Sequence, residues 1–280
     1  MPDIAIIGAG ELGGALAHVL ARRNVAAAIR LIDESGRVAE GKALDIMQAA
    51  PIEGFATKVS GSADLSTAGG VTVVILADQA GGAEWQGDDG LRLMMRLTQL
   101  ASRSVILCPG AQQRELIDRG VRELHISPRR LFGTAPEAVG AGARALVALA
   151  LDGSPTDVAL SVLGVPPSRI VIPWEDATVA GFALTRLVDE PTRQRLGARI
   201  AAMWPPGSYA LASAASKAID AMFGRTRAIV GCYVAPDDSE GMRRRTAALP
   251  ARLSPAGIER LVLPSLSVVD RVALDNAMLL

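Results

Sequence analysis

The sequence predicts an α/β fold in which a doubly wound parallel sheet is followed by a smaller α+β domain. Three observations lead to this prediction. The N-terminal segment has the pattern of a βαβ unit with a glycine-rich turn, apolar strands alternate with helical segments through the first half, and the second half changes to an α+β pattern. The chain has 280 residues, of which 50% are hydrophobic, so it is long enough for one or two domains with sizeable cores.

The first thirty-three residues carry the pattern that is most informative about function. Residues 3–7 form a short apolar run with β-branched residues, typical of a strand that is buried on both faces. A G-x-G-x-x-G turn follows at Gly8, Gly10 and Gly13, and leucines then recur at helical spacing. A second apolar run ends in Asp33, twenty residues past Gly13. Strand, turn, helix and acid therefore follow one another at the distances of a dinucleotide site.

Each part of this pattern has a physical role in such a site. Gly8 allows the tight turn, Gly10 lets the backbone approach a pyrophosphate, and Gly13 lets the helix pack closely on the strand, so that its first N–H groups face the phosphate. Asp33 would accept hydrogen bonds from the ribose 2′-OH and repel a 2′-phosphate, which favours NAD over NADP. The predicted cofactor-binding residues are Gly8, Gly10, Glu11, Leu12, Gly13, Asp33 and Ala77.

Further strands and helices alternate up to about residue 135, which implies parallel crossovers. We expect strands at 58–60, 71–77 and 104–108, and helices at 38–49 (ended by Pro51), 91–100 and 112–119. A ligand of such a sheet lies at the carboxyl ends of its strands, here Gly8, Asp33, Ala77 and Cys108.

The second half of the chain predicts a mixed domain. We expect helices at 139–151, 191–204 and 208–223, strands at 158–163, 170–174, 227–234, 242–249 and 257–263, and a C-terminal helix. The predicted division is a dinucleotide-binding domain over 1–137 and an α+β domain over 138–280.

The composition excludes several classes of partner. Lys plus Arg and Asp plus Glu both number 29, and this balance argues against a nucleic acid or an anionic membrane surface. The first strand follows Met1 almost directly, so we expect no signal peptide and a cytoplasmic location. The longest apolar runs are too short to span a bilayer, and Cys108 and Cys232 lack metal-ligand spacing, so we expect no metal site.

Further motifs extend from the first strand to near the C-terminus. They are Ala17-His18, Gly41-Lys42-Ala43-Leu44-Asp45-Ile46, Pro51-Ile52-Glu53-Gly54-Phe55, Val162-Leu163-Gly164, Thr178-Val179-Ala180-Gly181, Ala214-Ala215-Ser216 and Gly257-Ile258-Glu259-Arg260. With the glycine-rich turn and Asp33, they make the chain similar to the lactate/malate dehydrogenase family, and particularly to bacterial malate dehydrogenases. The resemblance implies a Rossmann-type domain, a C-terminal α+β substrate-type domain, NAD, and a homo-oligomer formed through the helix from Gly41 to Phe55.

The residues that perform catalysis in that family do not match. The family's proton-shuttling histidine lies in a Gly-x-His-Gly segment, which here is Gly164-Val165-Pro166-Pro167, and proline cannot transfer a proton. The Asp-x-x-Arg pair that holds the histidine and the substrate carboxylate falls on Val139 and Gly142, with Arg144 close by.

The family's mobile lid should supply arginines, but residues 77–91 contain neither Arg nor Lys. This region instead carries four acids, Asp78, Glu84, Asp88 and Asp89. The Asn-Pro that touches the nicotinamide ribose in the family appears here as Pro109-Gly110. We predict no catalytic residue from this comparison.

The two histidines offer little replacement for the missing base. We expect His18 to pack in the first helix and His125 to lie partly exposed in a helix or loop, where a catalytic role remains an alternative.

Three hypotheses remain open. The first is an NAD-binding protein without 2-hydroxy-acid dehydrogenase activity, serving as a sensor, a regulatory subunit or the partner of an active paralogue. The second is an NAD-dependent oxidoreductase with a cationic or neutral substrate, in which Arg169, Glu175, Asp176 and the acidic lid would take part. The third is a structural relic that binds nothing and persists through its dimer surface.

Overall fold

The computed structural model describes residues 1–236 and 245–279. Its first half forms a parallel sheet in the order β3-β2-β1-β4-β5-β6, which is the order of a doubly wound fold. The predicted α/β class is therefore confirmed. These strands are β1 (Asp3–Ile7), β2 (Ala28–Ile32), β3 (Lys58–Ser62), β4 (Val73–Leu76), β5 (Val105–Cys108) and β6 (Leu131–Gly133).

Four helices connect these strands. They are α1 (Glu11–Arg22), α2 (Gly36–Glu53), α3 (Gly87–Leu100) and α4 (Arg114–Leu124). Helix α1 buries Leu12, Leu16 and Leu20 at a spacing of four residues, and this single apolar face is why it packs on the sheet. As in any parallel sheet, the carboxyl ends of these strands lie at the same edge. The turns that lead from the strands into the helices therefore lie at that edge too.

The sheet continues without interruption into the second half. Strand β12 pairs antiparallel with β6, and β13, β8 and β9 follow in that order, with β14 on β13. The elements of this half are α5 (Ala135–Ala150), β7 (Val158–Ala159), β8 (Leu163–Val165), β9 (Arg169–Val171), β10 (Thr178–Val179), β11 (Phe182–Ala183), α6 (Leu184–Leu187), α7 (Glu190–Ala202), α8 (Ser208–Met222), β12 (Val230–Val234), β13 (Ala247–Ser254), β14 (Gly257–Leu261) and α9 (Val268–Met278).

The residues that the structure describes form two apolar cores. The larger contains the parallel sheet together with residues of α8, α9 and strands β12 to β14, whereas the smaller lies between α5, α7 and the small sheet β11-β10-β7. The larger core and the shared sheet both extend across residue 137, so the division into domains 1–137 and 138–280 stays a prediction.

Some element bounds differ from the sequence-based expectation. Helix α2 does not end at Pro51 but continues to Glu53 and closes on Gly54, which has a left-handed φ of 75° and donates its N–H to Ala50 O. Helix α3 begins at Gly87, so Asp88 and Asp89 lie in its first turn.

The expected strand 158–163 is divided between two sheets. Val158 pairs with β10 of the small sheet, while Leu163 pairs with β9 of the large one, so the chain must change direction between them. The predicted strand 242–249 lies partly outside the described residues, and β13 begins at Ala247.

None of the helices in the described ranges has both the length and the apolarity to cross a bilayer. The same ranges contain no group of three or more His, Cys, Asp or Glu side chains placed to hold a metal ion. Both cysteines are buried as free thiols.

The contact between α2 and β3 allows a test of packing with two glycine substitutions. A Cβ atom at Gly61 would lie 2.3 Å from the backbone of Ala39 and Glu40, whereas one at Gly41, exposed on the same helix, would meet nothing within 4 Å. We expect Gly61→Ala to lower the free energy of unfolding by about 2–3 kcal/mol through overpacking. Gly41→Ala should raise it by about 0.5–1 kcal/mol, since alanine favours the helix. Urea unfolding followed by circular dichroism measures both, and equal effects would contradict the close packing.

Candidate functional site

The glycine-rich turn joins β1 to α1 in a space too small for side chains. Gly8 has a φ of +112°, and a Cβ atom there would lie 2.2 Å from the backbone oxygen of Asp78, the second residue after β4. A Cβ atom on Gly13 would lie 2.0 Å from the oxygen of Gly8. These contacts place the start of α1, the turn and the end of β4 against one another, and they explain why glycine occupies these positions.

The first N–H groups of α1 are bonded to a side chain of the protein itself. The Asp78 carboxylate accepts hydrogen bonds from Leu12 N (3.1 Å) and Gly13 N (2.8 Å), and the Asp78 backbone oxygen accepts one from Gly10 N (2.9 Å). A Cβ atom on Gly10 would lie 2.3 Å from the carboxyl carbon of Asp78. The carboxylate therefore fills the space that the sequence assigns to a phosphate.

Asp33 lies at the end of β2, as expected, and is buried. Its carboxylate accepts hydrogen bonds from Ala9 N (2.8 Å), Ala80 N (2.9 Å) and Ser35 N (2.8 Å). A carboxylate offers about four acceptor positions, so three of them are used within the chain and about one is left for a ribose hydroxyl.

The other predicted residues lie at the same edge of the sheet. Ala77 is buried directly after β4 and donates its N–H to Ile7 O (2.9 Å). Glu11 is exposed at the start of α1, and Lys42 of α2 donates from Nζ to Gly10 O (2.6 Å), which fixes the turn from the other side.

We call residues 78–86 the lid segment, because they lie within the region 77–91 in which the resemblance predicts the mobile lid. The segment is folded back on itself: Asp78 and Glu84 form an antiparallel bridge, and Gln79 N donates to Ala83 O (3.2 Å). The Glu84 carboxylate accepts hydrogen bonds from Ala111 N (2.9 Å) and Gln112 N (2.8 Å), just before α4. Burial raises the pKa of Glu84 and outweighs these N–H groups, which lower it.

The two remaining acids of the region 77–91 form ion pairs. Asp88 binds Arg119 of α4 at 2.9 Å, and Asp89 binds Arg92 within α3. All four acids that the sequence analysis assigned to a substrate site are therefore bonded within the protein.

The candidate residues of the second half lie in two places: Pro166 and Arg169 at the turn between β8 and β9, and Glu175 and Asp176 after β9. Pro166 is buried directly after β8, while Arg169, at the start of β9, is exposed. Glu175 and Asp176 are also exposed, and Asp176 accepts a hydrogen bond from Ser265 N (3.2 Å).

An ionic cluster on α5 was missed by the sequence analysis. Glu137 is buried and accepts hydrogen bonds from Lys217 Nζ (2.6 Å), Arg144 Nη2 (2.7 Å) and Gly231 N (2.9 Å) at one side of a cavity of about 440 Å³. Burial raises the pKa of Glu137, but Lys217 and Arg144 outweigh burial, so the pKa lies below its ordinary value. The seven-residue spacing of Glu137 and Arg144, two helical turns, was the available signal.

The two positions that the spacing had assigned to the Asp-x-x-Arg pair have other surroundings. Val139 is buried in the smaller core, and a Cβ atom on Gly142 would lie 2.8 Å from the methyl group of Met203. The acid that this helix does contain, Glu137, lies two residues before Val139.

Both histidines lie at the surface of the N-terminal half of the chain, His18 half-buried and His125 exposed. His18 Nε2 is 3.3 Å from Glu53 of α2, so it joins α1 to α2, and His125 is exposed and ends α4 with a φ of 54°.

Comparison with known proteins identifies the relatives of this arrangement. Residues 3–96 match the sequence model of the lactate/malate dehydrogenase NAD-binding domain. A malate dehydrogenase of Desulforudis audaxviator is 29% identical, covering 98% of this chain and 94% of the relative, and one of Thermomicrobium roseum is 27% identical with the same coverage. The predicted resemblance to the lactate/malate dehydrogenase family is confirmed by these matches, and residues 3–96 are similar to that family's NAD-binding domain.

Solved structures show the same fold. The malate dehydrogenase from Salinibacter ruber superimposes with a TM-score of 0.83 at 22% identity, covering 98% of this chain and 93% of the other. The lactate dehydrogenase from Cryptosporidium parvum gives a TM-score of 0.86 at 20% identity, covering 99% and 95%. The Rossmann-type half and the C-terminal half therefore both follow the family fold.

The site fits NAD only in part. Asp33, the acid directly after β2, keeps about one acceptor position for the ribose of the adenosine end, whereas the N–H groups at the glycine-rich turn that suit the pyrophosphate are bonded to Asp78.

The Glu137 cluster predicts a pH-dependent contribution to stability. Because the pKa of Glu137 is depressed in the folded state, the stabilisation is present above the unfolded pKa of about 4.3 and is lost as pH falls through the folded pKa. We expect Glu137→Gln to lower the free energy of unfolding by about 2–3 kcal/mol at pH 7, and by less at pH 3.

Urea unfolding at the two pH values measures this difference. Glu175→Gln, at an exposed glutamate, is the matched control and should change stability by less than about 0.5 kcal/mol. An effect of Glu137→Gln that does not vary with pH would contradict the ionic role.

Proposed function

We propose that this lactate/malate-dehydrogenase-like chain is an NAD-binding protein without 2-hydroxy-acid dehydrogenase activity. One observation carries the proposal: the loop after β8, where the family that the chain resembles has its proton-shuttling histidine, presents the buried Pro166. A proline side chain has no proton to give and no atom to accept one, so the acid–base step has no agent at this place.

The neighbouring groups do not replace the missing histidine. His18 contacts Glu53 of α2, and His125 ends α4. Of the four acids in region 77–91, two accept hydrogen bonds from backbone N–H groups and two form ion pairs with arginines. A substrate carboxylate would also lack a planar arginine fork from the lid segment, which contains no arginine. The proposal thus rests on several losses at one end of the site.

The alternative of an NAD-dependent oxidoreductase with a cationic or neutral substrate drew on the acids of the lid segment and on Arg169, Glu175 and Asp176. Asp78 instead accepts hydrogen bonds from the N-terminus of α1 and Glu84 from the two N–H groups just before α4, and Arg169 is exposed at the start of β9. Nothing in residues 1–236 and 245–279 favours this alternative over the first proposal.

We also propose that the chain forms a homodimer through α2. Leu44 and Ile52 are exposed on this helix by 62% and 87%, and Tyr209 at the start of α8 is exposed by 82%. A groove of about 610 Å³ lies between α1, α2 and the start of α8. Exposed large apolar side chains on one helix are a feature of protein interfaces. The cytoplasmic location stays a prediction.

The first test of the proposed function is an assay of NADH oxidation with oxaloacetate and with pyruvate. We expect rates at least about 10⁴-fold below those of an active malate dehydrogenase measured in parallel, because both the proton donor and the carboxylate clamp are missing. Pro166→His alone should not restore turnover, since no arginine of the lid segment would hold the substrate.

Calorimetry on the same preparation measures the binding of NAD. Saturable binding with no turnover is the expected result. Turnover at ordinary enzymatic rates would refute the loss of activity, and an absence of binding at millimolar NAD would refute the binding half of the proposal.

The second test concerns the dimer. Leu44→Glu should shift the protein from twice the mass of the chain to the mass of one chain in light scattering, because it places a charge in the proposed interface. Leu149→Glu is the matched control, since Leu149 is exposed by 72%, somewhat more than Leu44, but lies on α5. A wild-type monomer, or identical behaviour of the two variants, would contradict the α2 interface.

A further inference from the structure

We propose that Asp78 determines the ligand selectivity of the glycine-rich turn, because its carboxylate is a built-in anion that competes with the pyrophosphate of a dinucleotide. This inference rests on the proposed NAD-binding function and specifies which part of the ligand the site resists. The adenosine part meets no such competitor at the turn.

The position of the carboxylate is that of a bound phosphate at a helix N-terminus. Its two oxygens accept hydrogen bonds from the N–H groups of Leu12 and Gly13, at 3.1 and 2.8 Å. These groups have no partner inside a helix and lie at the positive end of the helix dipole, so they attract an anion from outside. In this chain the anion is already supplied by the residue that follows Ala77.

Space as well as charge excludes a second anion. Because Gly10 has no side chain, the backbone of the turn can come close to a pyrophosphate, and the pyrophosphate uses the space that a Cβ atom would otherwise fill. The carboxyl carbon of Asp78 lies 2.3 Å from where a Cβ of Gly10 would be. A pyrophosphate at this place would overlap the carboxylate, and two anions at such a distance repel strongly.

Neighbouring contacts hold Asp78 in place. Its backbone oxygen accepts the N–H of Gly10 (2.9 Å), and two residues later Ala80 donates to the carboxylate of Asp33 (2.9 Å). At the far end of the lid segment, Glu84 is bonded to the two N–H groups before α4. Hydrogen bonds at Asp78, Ala80 and Glu84 therefore hold the lid segment against the edge of the sheet.

This arrangement gives a definite order of affinities. A dinucleotide binds only to the fraction of molecules in which Asp78 has left the N-terminus of α1, so its apparent affinity is reduced by that fraction. Adenosine has no phosphate and does not compete for those N–H groups. Removal of the Asp78 carboxylate should therefore strengthen the binding of pyrophosphate ligands and leave that of adenosine nearly unchanged.

The experiment compares Asp78→Ala and Asp78→Ser with the wild-type chain by calorimetry, using adenosine, ADP-ribose and NAD as probes. We expect both variants to bind ADP-ribose and NAD at least tenfold more tightly than the wild type, with a change below threefold for adenosine. Serine keeps a hydroxyl acceptor for α1, so this variant retains a helix cap if alanine destabilises the fold.

The matched control is Asp189→Ala. Asp189 is an exposed carboxylate that caps α7 by accepting a hydrogen bond from Thr192 N (3.0 Å), so the control removes the same kind of contact elsewhere. Its affinity for ADP-ribose should equal that of the wild type. A similar gain in the control would overturn the assignment to Asp78.

The outcomes separate this inference from the proposed function. If the wild type binds NAD and both Asp78 variants bind it no more tightly, the inference fails and the proposed function stands. If only the Asp78 variants bind NAD, the inference stands and the wild-type protein is not an NAD-binding protein. If none of the three proteins binds any of the probes, both fail.

Discussion

The close contact between the glycine-rich turn and the end of β4 is the constraint on which this edge of the molecule depends. Gly8 and Gly13 leave no room for a Cβ atom, so β1, α1 and the backbone of Asp78 approach to distances that other residues would prevent. The same approach brings the side chain of Asp78 to the first N–H groups of α1. A geometry suited to an external phosphate is in this way equally suited to an internal carboxylate.

The two acids of the lid segment hold it in place through hydrogen bonds to backbone N–H groups. Asp78 accepts two backbone N–H groups at the start of α1 and Glu84 accepts two just before α4, and such charge-assisted hydrogen bonds are stronger than neutral ones. The segment between them is folded as a short bridge. The acidic region 77–91, whose charge favoured a cationic or neutral substrate, therefore stabilises the edge of the sheet at which the strands end.

The second half has the same fold as the solved malate and lactate dehydrogenases, and its buried polar contacts join helices and strands to one another. The sheet continues through β6 and β12, and Glu137 joins α5 to α8 and to β12 by way of Lys217 and Gly231. A buried carboxylate must have partners of this kind, because an unpaired charge is strongly destabilising in an apolar surrounding. The cluster thus accounts for an acid in a helix that is otherwise rich in alanine.

The sequence by itself determined the fold class and the position of Asp33, because these follow from local patterns: apolar runs, the spacing of the glycines and the acid at the end of the second strand. It also determined that Pro166 cannot transfer a proton, since that depends only on the residue type. Only the tertiary structure decided which partner each acid meets. Asp78 and Leu12 are 66 residues apart in sequence, and their contact depends on how β4 ends against α1. The partition of the run 158–163 between two sheets was likewise set by its pairing partners, because an apolar pattern specifies burial and leaves the neighbouring strand unspecified.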